Sequence, residues 1–495
     1  MPALITEVNM NSIVEALAYN AAEKPDRVAV IADNEQITYA ELWKEVQGFA
    51  EYIRTLGFEK GSRITVKASP SIWFAVSCFG IHLSGNVQVP MEKTIGRSGV
   101  DNIAGELGAS LVISDIGADE RFRCISSAEV REIGRKYYRD DLKFEFPTRE
   151  MLCDIMFTTG TTGKSKGVME SHKAVVAVSE NVQYGAGIIP DNVYLIPAPI
   201  NHASAIRKLY VTILTGTTCV LLDGFTDLKK FYEYIDKYKV TSILMPPAAV
   251  RMILLLSAKN LAKYSDQLHH IHTGAAAFPE ADKEKLNELL PNTRLYFAYG
   301  SSEAGCSCMF DYSEYKGLIS CVGKPNKNAH VFIVDEDHKE IQSSKTNQGL
   351  IAISGDMIMN GYYNAPELTA TVLENGVVYT NDIGYIDENG FVYMLGRKGD
   401  VINIGGLKIA PTEVEDVVIR FPGVAECACF AIPDRMGGVV PKLNIVPIKD
   451  ATIDFAELRA HMAKYLEAFK IPKNMVIVDS LPKTSNGKLD RKNLK

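Results

Sequence analysis

Short β-rich runs alternate with helical stretches over the first three hundred residues, and nothing else in the chain constrains its fold as strongly. The runs are Val28–Ala32, Arg63–Ala68, Leu111–Ser114, Val193–Pro197, Thr217–Leu222, Thr241–Met245, His270–Thr273 and Arg294–Tyr299. One of the first helical stretches shows how the intervening segments are built. Thr38 and Glu41 have capping-box spacing, Leu42, Val46, Phe49, Ala50 and Ile53 then share one face, and Gly57 stops the helix. Strands joined through helices pair in parallel, so this part of the chain predicts mostly parallel sheets covered by helices. From about Gly323 the rhythm changes. His330–Val334, Gly349–Ser354, Val377–Tyr379 and Gly390–Leu395 are separated only by turn residues, the pattern of a small antiparallel barrel or sandwich. After Arg397 a mixed α+β pattern returns in Pro411–Phe421, Ala425–Pro433, Leu443–Val446, Phe455–Leu466 and Asn474–Val478.

Composition narrows the class. A chain of 495 residues is too long for one ordinary core. With 53 basic and 60 acidic residues the net charge is −7, which disfavours a broadly basic nucleic-acid surface. The start, MPALITEVNM, lacks the basic and apolar regions of a signal peptide. The most apolar window, Ile72–Leu83, is too short to span a bilayer. Nine cysteines are scattered, and neither CxC pair, Cys306/Cys308 or Cys427/Cys429, has further ligands at zinc-site spacing. Buried free thiols in a reducing cytoplasm are the expectation.

The densest chemistry lies in Thr158-Thr-Gly-Thr-Thr-Gly-Lys-Ser-Lys-Gly-Val168. Its glycines allow close backbone approach to an anion, its hydroxyls donate, and Lys164 and Lys166 add charge, so a polyphosphate is the natural guest. A Walker A loop is excluded, because Thr158 stands where that motif needs its first glycine.

This segment resembles the signature of the acyl-adenylate-forming superfamily, which contains acyl-CoA ligases, peptide-synthetase adenylation domains and luciferases. Ser165 replaces the usual proline. Further motifs follow in family order. Tyr299-Gly-Ser-Ser-Glu303 is similar to Y-G-x-T-E, Tyr379–Gly384 to the region holding the ribose-binding aspartate, Gly396–Asp400 to G-R-x-[DK]-D, and Pro482–Lys488 to P-[KR]-T-x-x-G-K. The resemblance implies that Thr158, Thr159, Gly160, Thr161, Thr162, Gly163, Lys164 and Lys166 surround the phosphates of ATP. It implies that Tyr299 stacks on adenine beside Gly300 and Ser301, that Ser302 bonds the α-phosphate, and that Glu303 holds Mg²⁺. Asp382 would accept the ribose hydroxyls, Arg397 would contact ribose or phosphate, and Lys488 would bridge the substrate carboxylate and α-phosphate. Gly399 stands at the family's hinge position, where Asp or Lys is usual. The presence of Lys488, Glu303 and Asp382 argues against a non-catalytic nucleotide-binding protein on the same fold.

The implied architecture is α/β. A large N-terminal domain, residues 1–396, holds two helix-covered, mostly parallel sheets plus a small β-barrel at about 323–396. A small mobile α+β C-terminal domain, residues 397–495, follows a hinge at about 397–400. The implied reaction activates a carboxylic acid to acyl-AMP and passes the acyl group to coenzyme A. The alternative acceptor is a carrier-protein phosphopantetheine. Gly405 and Gly406 fit a pantetheine tunnel, with a packing or turn role as the other reading. The acyl pocket of the family corresponds here to Pro199–Lys208, Thr273–Ala277 and the segment after Glu303. It includes His202 as a gate or a packed residue, together with Ser204, Gly274, Ala275, Ala276 and Cys306. No acid occurs from Ala198 to Lys208, which disfavours α-amino acids, and an aryl or medium-chain acid is expected. Arg207 and Lys208 are unusual there. They are read either as partners of a substrate hydroxyl or second carboxylate, or as an outward-pointing helical pair.

Overall fold

The computed structural model describes residues 10–159, 165–276, 278–404, 407–434, 438–483 and 489–495. Two sheets carry the N-terminal part. In the larger, parallel strands Val28–Ala32, Thr218–Leu221, Val193–Ile196, Ser242–Leu244, His270–Gly274 and Arg294–Ser301 lie side by side in that order. The smaller runs Cys124–Ile125, Leu111–Ile113, Arg63–Lys67, Val87–Met91 and Leu152–Thr159 in parallel, and Ser165–Ser171 ends it antiparallel.

Helices fill the space between the sheets. The apolar window Ile72–Leu83 is a helix buried at eleven of its twelve positions, as a segment without a polar face requires. One hydrophobic core joins it to Val175 and Val178, to Ile206 and Leu209, and to strand residues of both sheets such as Val66 and Tyr194. The capping box at Thr38–Glu41 is formed, and Leu42, Val46, Phe49, Ala50 and Ile53 are all buried.

The antiparallel region does not stand apart. Strands Ala329–Val334, Gly349–Gly355, Val377–Ile386, Val392–Arg397 and Cys321–Pro325 are hydrogen-bonded in that order. Cys321–Pro325 continues through Gly305–Asp311 into Arg294–Ser301 of the larger sheet. The unit therefore begins slightly earlier than its sequence pattern, and the strand starting at Val377 runs on to Ile386.

Beyond Arg397 a second core forms from Val414, Cys429, Leu443, Leu458 and Met462. It packs around the sheet Val424–Pro433, Val439–Pro447 and Asn474–Ile477 and the helices Pro411–Val418 and Phe455–Met462. Polar contacts tie this unit to the preceding one. Arg420 pairs with Glu284 at 3.1 Å, and Arg251 donates to the Ala425 carbonyl at 2.6 Å. Burial pushes the Asp416 carboxyl up to about 7, with Lys283 opposing and Glu280 and Glu415 adding to the shift. A carboxyl raised on folding contributes stability that is complete below about pH 4 and is lost as pH rises through about 7. The melting temperature should therefore fall between about pH 4 and pH 7 and level off above, and Asp416→Asn should flatten that part of the profile. An unchanged profile in the variant would refute the assignment. Among the described residues no helix is long and apolar enough to cross a membrane.

Candidate active site

The glycine-rich segment joins the two strands of a hairpin. Thr158 lies opposite Lys166, and Thr159 opposite Ser165. A Walker A loop leads from a strand into a helix, so the topology agrees with its exclusion. Gly160, Thr161, Thr162, Gly163 and Lys164 lie outside the described residues, as does the side chain of Thr159. The returning strand is stitched to the segment Gly361–Tyr363, since Met169 donates to the Gly361 carbonyl and Tyr363 to that of Gly167. This places the Lys166 ammonium 5.1 Å from the centre of the Tyr362 ring. The Tyr362 hydroxyl in turn donates to Glu303 Oε1 at 2.8 Å. Hairpin, tyrosine and carboxylate thus form one continuous wall.

Glu303 follows the strand Arg294–Ser301, which turns back into Gly305–Asp311. A Cβ on Gly300 would lie 1.9 Å from the Gly305 carbonyl, so no other residue fits this close reversal. The preceding Tyr299 is buried and donates its hydroxyl to Asp382 Oδ2 at 2.7 Å. Asp382 is also the cross-strand partner of Arg397, whose Nε lies 3.9 Å from Oδ1. Burial pushes the Asp382 carboxyl up, while the Tyr299 hydroxyl and Arg397 favour its ionised form. Residues far apart in sequence are therefore gathered beside the hairpin: Lys166, Tyr299, Gly300, Ser301, Ser302, Glu303, Asp382 and Arg397. Gly399 sits in the turn after Arg397, where an added Cβ would meet nothing within 4 Å.

The expected acyl stretches are contributed by three elements. His202 is the exposed N-cap residue of the helix Ala203–Thr215, and Ser204 lies in its first turn, half-buried. Gly274 closes the strand His270–Gly274 with φ +157, where a Cβ would come within 2.8 Å of the Ala298 carbonyl. Ala275 follows with φ +66, an uncommon and strained conformation for alanine, and Ala276 is half-buried. Cys306 is buried on the strand after Glu303.

Arg207 and Lys208 correct the expectation of an outward-pointing pair, because they are only 6% and 4% exposed. Their helix lies between the two sheets, so both of its faces are covered. Arg207 is also engaged within the protein. Its guanidinium pairs with Glu170 and donates to the carbonyls of Ser301, at 3.0 Å, and Ser302, at 3.1 Å. Glu170 was not singled out from the sequence, where it is one acid after the apolar Val168-Met169. It stands directly opposite Asp154 across the hairpin. Asp154 is held by Tyr210 at 2.8 Å and His82 at 3.2 Å. Burial pushes the Glu170 carboxyl up, and Arg207 opposes this. Tyr362 was missed as well, because Gly361-Tyr362-Tyr363 carries no motif. Gly405, Gly406 and Lys488 lie outside the described residues.

Two family models match the chain, the AMP-binding enzyme over residues 17–363 and the AMP-binding enzyme C-terminal domain over residues 413–488. The chain belongs to the AMP-binding enzyme family. It is thus an enzyme of the AMP-forming ligase type. Among the relatives of this AMP-binding enzyme, a feruloyl-CoA synthase of Amycolatopsis sp. is 27% identical over 474 residues, 95% of each chain. A 2-succinylbenzoate–CoA ligase of Oceanobacillus iheyensis is 26% identical over 486 residues, 97% of this chain and 98% of that one. The same fold is found in ATP-bound MatB from Rhodopseudomonas palustris, with a TM-score of 0.84 and 23% identity over 98% of both chains. It is also found in the o-succinylbenzoate CoA synthetase of Bacillus subtilis in complex with its acyl-adenylate, with a TM-score of 0.81 and 24% identity over 97% of both chains.

Proposed function

We propose that this AMP-binding enzyme activates a carboxylic acid and transfers the acyl group to coenzyme A. A carboxylate oxygen attacks the α-phosphorus of ATP and expels pyrophosphate. The thiol of coenzyme A then loses its proton, attacks the acyl carbon and expels AMP. The observation that carries this reading is the hydrogen bond between Tyr299 and Asp382, beside the wall formed by Lys166, Tyr362 and Glu303. It joins an aromatic ring to a carboxylate on the strand that leads to Glu303, and Glu303 is linked through Tyr362 to the Lys166 cation; an adenine, a ribose and a polyphosphate need such a set together. The relatives named as CoA synthases and ligases, matched over nearly their whole length, support the acceptor.

In this reading Thr158 to Lys164 and Lys166 surround the phosphates, Ser302 bonds the α-phosphate, Tyr299 lines adenine, and Asp382 takes the ribose hydroxyls. Glu303 fits a magnesium ion. Tyr362 orients one carboxylate oxygen, and a carboxylate held in this way suits a cation that takes one or two carboxylates together with phosphate oxygens. Bound there, the ion would neutralise charge on the phosphates. Lys488 meets the charge that builds on the α-phosphate and the incoming carboxylate. We place the boundary between the two units at residues 396 and 397, with Gly399 as hinge. The open space around Gly399 supports this, since nothing in the present arrangement requires a glycine there. Gly405 and Gly406 are assigned to the pantetheine path.

For the acid, Gly274, Ala275 and Ala276 leave room for a ring or chain, and relatives named for feruloyl and succinylbenzoate substrates support an aryl or medium-chain acid. Pyrophosphate release should be measured with ATP and Mg²⁺ over a panel of acids, with and without coenzyme A. Turnover that requires coenzyme A, with AMP and thioester formed one-to-one, is the expected result. A burst of acyl-AMP that coenzyme A does not relieve would replace it with a carrier-protein thiol. ADP as product would overturn the reaction type.

A further inference from the structure

The two neighbouring cations on the helix Ala203–Thr215 have different surroundings. Arg207 is held by Glu170 and two carbonyls, whereas among the described residues no carboxylate lies within ion-pair reach of Lys208. Lys208 is nonetheless buried. Around it lie Cys306, His270 and His272, which all respond to its charge. Two of the three stretches expected to line the acyl pocket supply a member of this group, and the strand that leads into the third supplies another. Lys208 comes from the helix behind His202. His272 lies two residues before Gly274, on the same face of its strand. Cys306 comes from the strand after Glu303.

The same place collects polar atoms that lack partners. Ser242 is the register partner of both Tyr194 and His270, and the rings of Tyr194 and His270 meet at 5.5 Å. His270 Nδ1 is 3.2 Å from Ser242 Oγ, and its Nε2 is buried with no partner. His272 Nδ1 and the Tyr194 hydroxyl are likewise buried and unpaired. Buried polar atoms are nearly always satisfied, so two imidazoles beside an unpaired ammonium, with the Tyr194 ring against one of them, leave donors in want of an acceptor. Burial, with Lys208 adding to it, holds both imidazoles below their usual range, His270 at about 3. Both rings are therefore neutral near pH 7, and each carries one N–H. An ammonium, a phenol and two imidazoles together form a donor-rich cluster with one positive charge. A carboxylate matches it, because it only accepts and offers about four lone-pair sites. An apolar acyl end would seal the ammonium away from any counter-charge, and an α-ammonium group would be repelled.

We propose that Lys208, with His270, His272 and Tyr194, receives the second carboxylate of a dicarboxylic acid whose first carboxylate is adenylated. The inference rests on the ligase reading above and deepens it. The aryl or medium-chain acid carries an anionic far end. Arg207, pointing to Glu170, has no part in this recognition.

The test compares dicarboxylic acids of increasing length with their monomethyl esters, which keep the length and lose one charge. Pyrophosphate release by the full-length protein should favour the diacid of best length over its half-ester by on the order of 10²-fold in kcat/KM, the size of effect that an unpaired buried charge produces. Lys208→Met should bring that ratio close to one, and Lys208→Arg should retain part of it. The melting temperature of Lys208→Met should not fall, because a buried unpaired ammonium is removed and no partner is stranded. A wild-type ratio near one, or a ratio unchanged in Lys208→Met, would overturn the proposal while leaving the ligase reading intact. If no acid supports pyrophosphate release, the ligase reading fails, and calorimetric titration of the same diacids decides separately. Diacid binding that disappears in Lys208→Met would keep the site, and absence of binding would remove it.

Discussion

Glu303→Gln should slow pyrophosphate release by on the order of 10²–10³, the loss typical of removing one preorganised charge-stabilising group. The amide keeps the size of the side chain and can still accept the Tyr362 hydroxyl bond that now ends on Oε1. What it loses is the negative charge that a hard cation requires beside phosphate. The expected signature is therefore specific. The variant should fold with a melting temperature close to the parent's, need more Mg²⁺ for half-maximal rate, and stay slow at saturation. Tyr362→Phe is the companion measurement. It leaves the charge and removes the bond that orients it, so its effect should be smaller and of the same kind. Parental rate and Mg²⁺ dependence in Glu303→Gln would show that this carboxylate does not face the phosphates.

The second large effect should come from Arg207→Met. The guanidinium is the cationic partner of Glu170, which is itself buried opposite Asp154. Breaking a buried pair by removing one member typically costs about 3–5 kcal/mol, because the other charge is left without compensation. Calorimetry should show the loss as an earlier unfolding transition. Arg207 also holds the carbonyls of Ser301 and Ser302, directly before Glu303. The double replacement Arg207→Met with Glu170→Gln separates the two roles. Removing both charges should restore most of the stability, but adenylation should stay impaired because the carbonyls remain unanchored. Recovery of both would reduce Arg207 to a purely structural ion pair.

The parts of this fold that depend on neighbours in sequence were readable from the chain. Strand positions in the parallel sheets follow from short apolar runs, and the helix after Thr38 from its cap and its single buried face. What the chain conceals is pairing at a distance. The antiparallel strands after Cys321 read as a separate barrel, yet Cys321–Pro325 is hydrogen-bonded to Gly305–Asp311 and extends the larger sheet. Arg207 and Lys208 look like surface cations because charged residues on a helix usually are. Their burial follows from a sheet on either side of that helix, and the partner of Arg207 comes from a strand earlier in the chain. The site shows the same division. Motif residues could be picked out one by one, but the register that sets Asp382 against Arg397 and the bond from Tyr299 could not. Tyr362, Glu170, His270 and Tyr194 left no local signal, because their importance lies wholly in what faces them.

The Asp382–Arg397 rung has one more consequence. Asp382 meets Tyr299 on one side, and on the other meets Arg397, the last residue of its strand, a few residues before the C-terminal core begins. In the proposed reading, a ribose that claims the carboxylate would draw on the same group that holds Arg397. Binding equilibria of this kind are reciprocal: if nucleotide loosens the C-terminal unit, then fixing that unit must change nucleotide affinity by the same factor. A crosslink that clamps the two units together is thus an assay of ATP affinity as much as of motion.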